Sequence, residues 1–237
     1  MNIPCHILAE NQLQYIWGNA PIEGRAILCA LIVFSIFAWT VMVTKAREMN
    51  RAHKLNRLFE SEFRAQKKVL GIFERKVQIE GCPLFSVYQE GSTELEARLK
   101  KTGGPEPKRQ ITLKAMEHVK RALESAVARE SLKLESGLIL LAIAVSGAPF
   151  LGLLGTVWGV MRTFADVGQK AQADLPTMAP GVSAALVTTV AGLLVAIPSM
   201  FAYNWLVHNL RVLTVELDNF AQNLVSKMET EFMDEND

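Results

Sequence analysis

Apolar residues in this chain are concentrated in three uncharged blocks, with polar and charged residues between them. The blocks run from 26 to 44, from 137 to 161 and from 175 to 207, and none contains Asp, Glu, Lys or Arg. Because a helix needs about 20 apolar residues to cross a bilayer core, each block is long enough to span a membrane. The pattern predicts three transmembrane helices. The first lies too deep and runs too long for a signal peptide, so it is expected to remain as an anchor.

The blocks and the segments between them predict an all-α, polytopic membrane protein with long helical extensions outside the bilayer. Between the first two blocks, Val119, Leu123 and Val127 recur every four residues, which predicts packing on a neighbouring helix or on another copy. The first helix is expected to continue to about Leu70, and a helix beginning after Pro107 is expected to run into the second span. The predicted segments, in order, are 1–24, 25–44 (first span), 45–136, 137–163 (second span), 164–177, 178–208 (third span) and 209–237.

Lys and Arg are distributed unevenly, and this predicts the orientation of the chain. Of the 25 in the sequence, 20 lie between Lys45 and Lys133, whereas the segment before the first block holds only Arg25. Because cationic loops stay on the cytoplasmic side, residues 45–136 and the C-terminus are expected inside and the N-terminus outside.

Several other kinds of site are disfavoured. Cys5 is expected outside the membrane, Cys29 within it and Cys82 in the cytoplasm, so no disulfide, metal site or cofactor is expected. Glu residues offset the cations of the inside segment, so nucleic acid is not an expected partner. No nucleophile motif is present, so the chain is not expected to be an enzyme. Arg162 and Asp166, four residues apart, are expected to form a surface ion pair.

Small and hydroxylated residues form a stripe along one face of each of the last two predicted spans, at helical spacings of three or four. The first stripe consists of Ala148, Gly152, Thr156, Gly159 and Thr163. The second stripe consists of Gly181, Ala185, Thr189, Gly192, Ala196 and Ser199.

Two interpretations of these stripes stay open. Small residues in membrane helices mostly serve close helix packing, and a threonine there can bond a carbonyl of the preceding turn. Alternatively, both stripes line a common axis in a ring of subunits, where Thr156 and Thr189 form a weakly polar belt. Residues 137–161 and 175–207 contain no Asp, Glu, Lys, Arg or His, and a proton relay normally needs a titrating group. In the second interpretation, that group therefore comes from another chain.

Four stretches resemble the MotA/TolQ/ExbB class of proton-channel subunits. They are FLGLLGTVWGVMRTF (150–164), APGVSAALVTTVAGLLVAIP (179–198), AYN (202–204) and FSIFAW (34–39). The last of these, with the basic segment after it, looks like TolQ in particular. Three spans with one large inside segment are closer to TolQ and ExbB than to the four-span MotA type.

The resemblance implies a homo-oligomer in the bacterial inner membrane, a pentamer around the transmembrane helices of a dimeric, single-span partner of the TolR or ExbD type. It implies that a membrane Asp of this partner carries the proton, while Thr156 and Thr189 line its path and the other stripe residues form the pore face. The N-terminus would be periplasmic, the C-terminus cytoplasmic, and a TolA- or TonB-like protein a further partner. The implied function is coupling of the proton-motive force to work.

Two residues depart from the pattern of the family. Many relatives carry Glu where this chain has Ala184, and TolQ and ExbB usually carry Ala where it has Thr188. The doubled threonine resembles sodium-driven relatives, so Thr188 is a third candidate for the ion path and Na⁺ is an alternative to H⁺. A TolQ-like role in a Tol-Pal system is the first choice. The alternatives are ExbB-like energised uptake, a gliding-motility motor and, from a different class, a non-conducting oligomeric membrane scaffold.

Overall fold

The structure, a computed structural model, describes residues 22–102, 111–170 and 174–233, and every regular element in these ranges is a helix. The helices are α1 (Ile22–Ala65), α2 (Gly71–Glu74), α3 (Pro83–Thr102), α4 (Leu113–Glu135), α5 (Leu138–Lys170) and α6 (Leu175–Phe232). Three stretches, in α1, α5 and α6, are long and apolar enough to cross a membrane. The all-α fold and the three membrane-spanning helices are therefore confirmed.

The chain divides into two compact units. The membrane unit comprises the described residues of 1–44 and 137–205, and the extramembrane unit comprises those of 45–136 and 206–237. Helices α1 and α6 each contribute one part to each unit.

The membrane unit turns large apolar side chains outward. Phe37, Phe150 and Leu194 are 64%, 70% and 69% exposed. In water, so much exposed apolar surface would favour aggregation, whereas in lipid it needs no covering. Small residues fill the inside, where Ala148 and Ala196 pack with Leu31 of α1.

An ion pair joins the first turn of α1 to α5 within the membrane unit. Arg162 Nη1 donates to both carboxylate oxygens of Glu23, at 2.6 and 2.8 Å. The expected pairing of Arg162 with Asp166 is therefore wrong. Spacing along one helix identified a possible partner, but the fold brings a carboxylate from the first turn of another helix within direct reach of the guanidinium.

Aromatic rings form the centre of the extramembrane unit. Phe59 and Phe63 of α1 meet Phe85 and Tyr88 of α3 and Phe220 of α6, with ring centroids 5.2 to 6.4 Å apart. Most of these pairs are edge-to-face or tilted, the arrangement that aromatic quadrupoles favour. This cluster ties three helices together.

Two buried polar side chains in this unit bond backbone groups of other segments. The Tyr88 hydroxyl donates to the carbonyl of Val69 at 2.7 Å and accepts from the N–H of Phe73 at 2.9 Å. Asn56 Oδ1 accepts from the N–H of Leu84 at 3.2 Å, which supplies a partner for a backbone group at the start of α3. Burial raises the pKa of the Tyr88 phenol and that of the nearby Cys82 thiol.

Helix α4 confirms the amphipathic pattern read from the sequence. Val119, Leu123 and Val127 are all buried. Helix α3 of the same chain supplies the neighbour, since a Cβ at Gly91 would overlap the side chain of Leu123. Gly91 therefore lies within a helix because its missing side chain admits α4.

Two expected helix boundaries differ in the structure. Helix α1 ends at Ala65 rather than near Leu70, and α4 does not continue into α5. Gly137 separates them with a positive φ of 84°, a conformation that glycine adopts without steric cost. The Lys45 ammonium lies 3.3 Å from the Ser136 hydroxyl and so supplies a donor at this break. The expectation of one continuous helix was wrong. The periodicity of apolar residues is the same whether or not a single residue between two helices has a positive φ.

Candidate functional site

Helices α5 and α6 approach closely inside the membrane unit because glycines lie at their points of contact. A Cβ at Gly192 would lie 2.6 Å from the carbonyl oxygen of Ala148, and one at Gly152 would lie 2.8 Å from that of Thr188. Real Cβ contacts essentially never fall below 3.0 Å, so neither position can hold a larger residue without backbone movement. We call this contact between α5 and α6 the glycine seam.

The glycine seam continues in both directions along the two helices. A Cβ at Gly155 would overlap the Thr188 side chain, and one at Gly159 would lie 2.6 Å from the Cβ of Ala185. Further along, a Cβ at Gly181 would overlap the hydroxyl of Thr163 on α5. The predicted stripes therefore face each other within one chain, which is the close packing that small residues indicate.

The two threonines singled out in the sequence lie side by side at the edge of this seam. Their hydroxyl oxygens are 3.4 Å apart. The Thr156 hydroxyl donates to the carbonyl of Leu153 at 2.7 Å, and the Thr189 hydroxyl donates to that of Gly152 at 3.1 Å. Each threonine thus satisfies itself on a backbone carbonyl of α5, and the pair presents two adjacent oxygens.

Thr188 lies inside the seam rather than at its edge. It is 2% exposed, and its hydroxyl lies 2.7 Å from the carbonyl of Ala185 and 3.1 Å from that of Gly152. The carbonyl of Gly152 consequently lies within bonding distance of the hydroxyls of both Thr188 and Thr189. Thr189 bonds α6 to this carbonyl of α5, and Thr188 does the same when its single hydrogen turns to Gly152 and not to Ala185.

Burial separates the candidate residues into two groups. Among the stripe residues named from the sequence, those that keep exposed surface are Thr156, Thr189 and Gly181, while the others are buried between helices of one chain. Only the first group can touch a neighbouring molecule in this conformation. That these residues line an ion path stays a prediction. Among the three candidate threonines, only Thr156 and Thr189 have the exposed surface that such a role needs.

Sequence reasoning missed one member of the site. The carbonyl of Gly152 was not foreseen as an acceptor, because no sequence signal distinguishes one backbone carbonyl from the next. Ala184, the position at which the resemblance leads one to expect Glu, is 3% exposed. The chain therefore places a methyl group at a buried position where an unpaired carboxylate would be costly.

Comparison with known proteins covers this site. The MotA/TolQ/ExbB proton channel family matches the chain over residues 92–219. The Tol-Pal system protein TolQ of Pseudomonas aeruginosa is 33% identical over 190 residues, 79% of each chain. TolQ of Haemophilus influenzae is 34% identical over 214 residues, 89% of this chain and 90% of the relative. The biopolymer transport protein ExbB of Neisseria meningitidis serogroup A is 30% identical over 207 residues, 87% of this chain and 91% of the relative.

Proposed function

Because the chain belongs to the MotA/TolQ/ExbB proton channel family, we propose that it couples proton flow to work through a single-span partner of the TolR or ExbD type. The observation that carries this proposal is the Thr156–Thr189 pair, two hydroxyls 3.4 Å apart that keep exposed surface at the edge of the glycine seam. Each hydroxyl already has a carbonyl acceptor within the chain, so neither needs the other as a partner in order to face lipid.

The partner supplies what the two helices lack. Residues 137–161 and 175–207 contain no Asp, Glu or His, and a threonine hydroxyl does not gain or lose a proton at physiological pH. The partner's membrane Asp carries the proton, and the threonine pair gives it a polar contact in an apolar surrounding. Each proton that moves down the potential releases about 2.3 kcal/mol per 100 mV.

The working assembly in this proposal is a pentamer of the chain around a partner dimer. The exposed apolar side chains of the membrane unit leave surface for neighbouring subunits as well as for lipid. The cation distribution supports a periplasmic N-terminus and a cytoplasmic C-terminus. The translocated ion is H⁺. The burial of Thr188 supports a packing role for its hydroxyl over the Na⁺ alternative.

A TolQ-like role in a Tol-Pal system is the first choice. Two TolQ relatives at 33% and 34% identity support it. ExbB relatives also match over most of the chain, so an ExbB-like role in biopolymer transport is the second candidate. The two candidates differ in the partner they engage, a TolA-like or a TonB-like protein.

The test compares Thr156→Val and Thr189→Val with Thr40→Val. Valine keeps the shape of threonine and removes only the hydroxyl. Thr40 is a matched control, because it lies in the apolar part of α1 and donates to the carbonyl of Ile36 at 2.7 Å, as Thr156 does to Leu153. All three variants are expected to assemble and to co-purify with the partner. Only the two pair variants should lose partner-dependent work, scored as detergent resistance for a Tol-Pal role and growth on a transported substrate for an ExbB-like role.

Normal work by both pair variants would refute the role of the pair and leave the scaffold interpretation. A scaffold uses the same seam for packing and has no need of either hydroxyl. Loss of assembly in the pair variants would also favour the scaffold, because the hydroxyls would then be structural.

A further inference from the structure

We infer that the Thr156–Thr189 pair acts as a hydrogen-bond acceptor, so that its ligand is the neutral acid form of an intramembrane carboxyl and not the carboxylate. The source of that carboxyl, the single-span partner, rests on the proposed function. The assignment of the pair as a hydrogen-bond acceptor, which we call the polarity of the site, rests on the hydrogen bonds within this chain.

The hydroxyl hydrogen of Thr156 is already donated to a hydrogen bond within this chain. A hydroxyl carries one hydrogen and two lone pairs. The Thr156 oxygen lies 2.7 Å from the carbonyl oxygen of Leu153, a good O–H···O distance, and a carbonyl can only accept. The hydroxyl hydrogen therefore points back along α5, and the lone pairs of Thr156 point away from it.

Thr189 has two acceptors within reach and one hydrogen to donate. Its oxygen lies 3.1 Å from the carbonyl of Gly152 and 3.4 Å from the hydroxyl of Thr156. Either choice keeps the hydrogen inside the chain. When it goes to Gly152, both lone pairs of Thr156 and both of Thr189 are free for an outside donor. When it goes to Thr156, one lone pair of Thr156 and both of Thr189 remain.

Thr188 does not change this polarity. Its hydrogen goes to the carbonyl of Ala185 or of Gly152, and its side chain is covered by the seam. The four oxygens of Gly152, Thr156, Thr188 and Thr189 therefore form a cluster whose hydrogens all point to atoms of this chain. What the half-buried pair offers to a neighbouring molecule is lone pairs.

This polarity selects between the two forms of a carboxyl group. A neutral acid has an O–H that can donate to a threonine oxygen without disturbing the cluster. A carboxylate only accepts, so a threonine would first have to rotate its hydrogen away from a carbonyl. The pair thus holds the acid while it is protonated, and loss of the proton removes the contact. This links the protonation state of the partner to its position in the membrane unit.

The test uses infrared difference spectroscopy on the full chain co-purified with its single-span partner. The probe is the partner's membrane Asp, isotope-labelled in its side-chain carboxyl so that its neutral-acid and carboxylate bands can be assigned. Spectra are recorded below and above the pH at which this group loses its proton. The chains compared are the natural one, Thr156→Val, Thr189→Val, Thr156→Ser and the control Thr40→Val.

The expected result is a shift of the neutral-acid C=O band to higher frequency in Thr156→Val, because the acid loses its acceptor. Thr156→Ser keeps an acceptor oxygen and should leave the band near its natural position, as should Thr40→Val. The carboxylate bands should be the same in all five chains. A shift of the carboxylate bands in Thr156→Val, with no shift of the neutral-acid band, would overturn the inferred polarity while leaving the proposed function in place. No shift of either band in Thr156→Val or in Thr189→Val would mean that the pair does not touch the acid, which overturns both.

Discussion

Gly192→Ala tests the packing of the glycine seam most directly, because the added methyl group would meet backbone. The new Cβ would lie 2.6 Å from the carbonyl oxygen of Ala148 and 3.2 Å from the Cα of Gly152. To bring the shorter contact to an ordinary 3.4 Å, α5 and α6 must separate locally by about 0.8 Å, since close-packed backbone has no slack to absorb it.

The expected cost follows from two opposing terms. Overpacking a close contact costs about 1–3 kcal/mol. Replacing a helical glycine by alanine recovers about 0.5–1 kcal/mol of backbone entropy. The net loss of stability is therefore between about 0 and 2.5 kcal/mol, with a midpoint near 1 kcal/mol, which corresponds to a melting temperature lower by about 2–4 °C for a chain of this size.

Gly147→Ala is the matched control. Gly147 lies on α5, the other helix of the seam, and a Cβ there would meet nothing within 4 Å. It gains the same backbone term without a clash, so it should melt at or slightly above the temperature of the natural chain. The assay is thermal unfolding of the purified protein in one detergent. Equal melting temperatures for the two variants would refute the seam as the contact that sets the α5–α6 distance.

Three further predictions concern other parts of the chain. Tyr88→Phe should destabilise the extramembrane unit by about 1–3 kcal/mol, measured by chemical denaturation, because two buried backbone groups lose their partner. Because burial raises the pKa of the Cys82 thiol and of the Tyr88 phenol, stability should be constant below their ordinary pKa values. It should then fall as pH rises toward the raised values, and a denaturation series that shows a gain at alkaline pH would contradict this. Glu23→Gln should lower stability by less than about 1 kcal/mol, since its ion pair with Arg162 is largely exposed, and high salt should abolish the difference from the natural chain.

The three spans, the all-α fold and the family could be predicted from the sequence alone. Uninterrupted apolar blocks of this length predict membrane-spanning helices, and the family followed from the resemblance of four stretches, two of which contain Thr156 and Thr189. The burial of Val119 and Leu123 also followed from periodicity, because a helix with one apolar face must cover it.

Tertiary structure alone decided which surface each small residue faces. The same stripe of glycine, alanine and threonine suits either a neighbouring helix of the chain or a space between subunits, and spacing cannot distinguish them. Packing put Ala148, Gly192 and Thr188 inside one chain and left Thr156 and Thr189 at the edge. It also decided the hydrogen bonds to the Gly152 carbonyl, the pairing of Arg162 with Glu23 and the break at Gly137. These depend on distances between segments far apart in the chain, or on one backbone angle, and a pattern of residue types records neither.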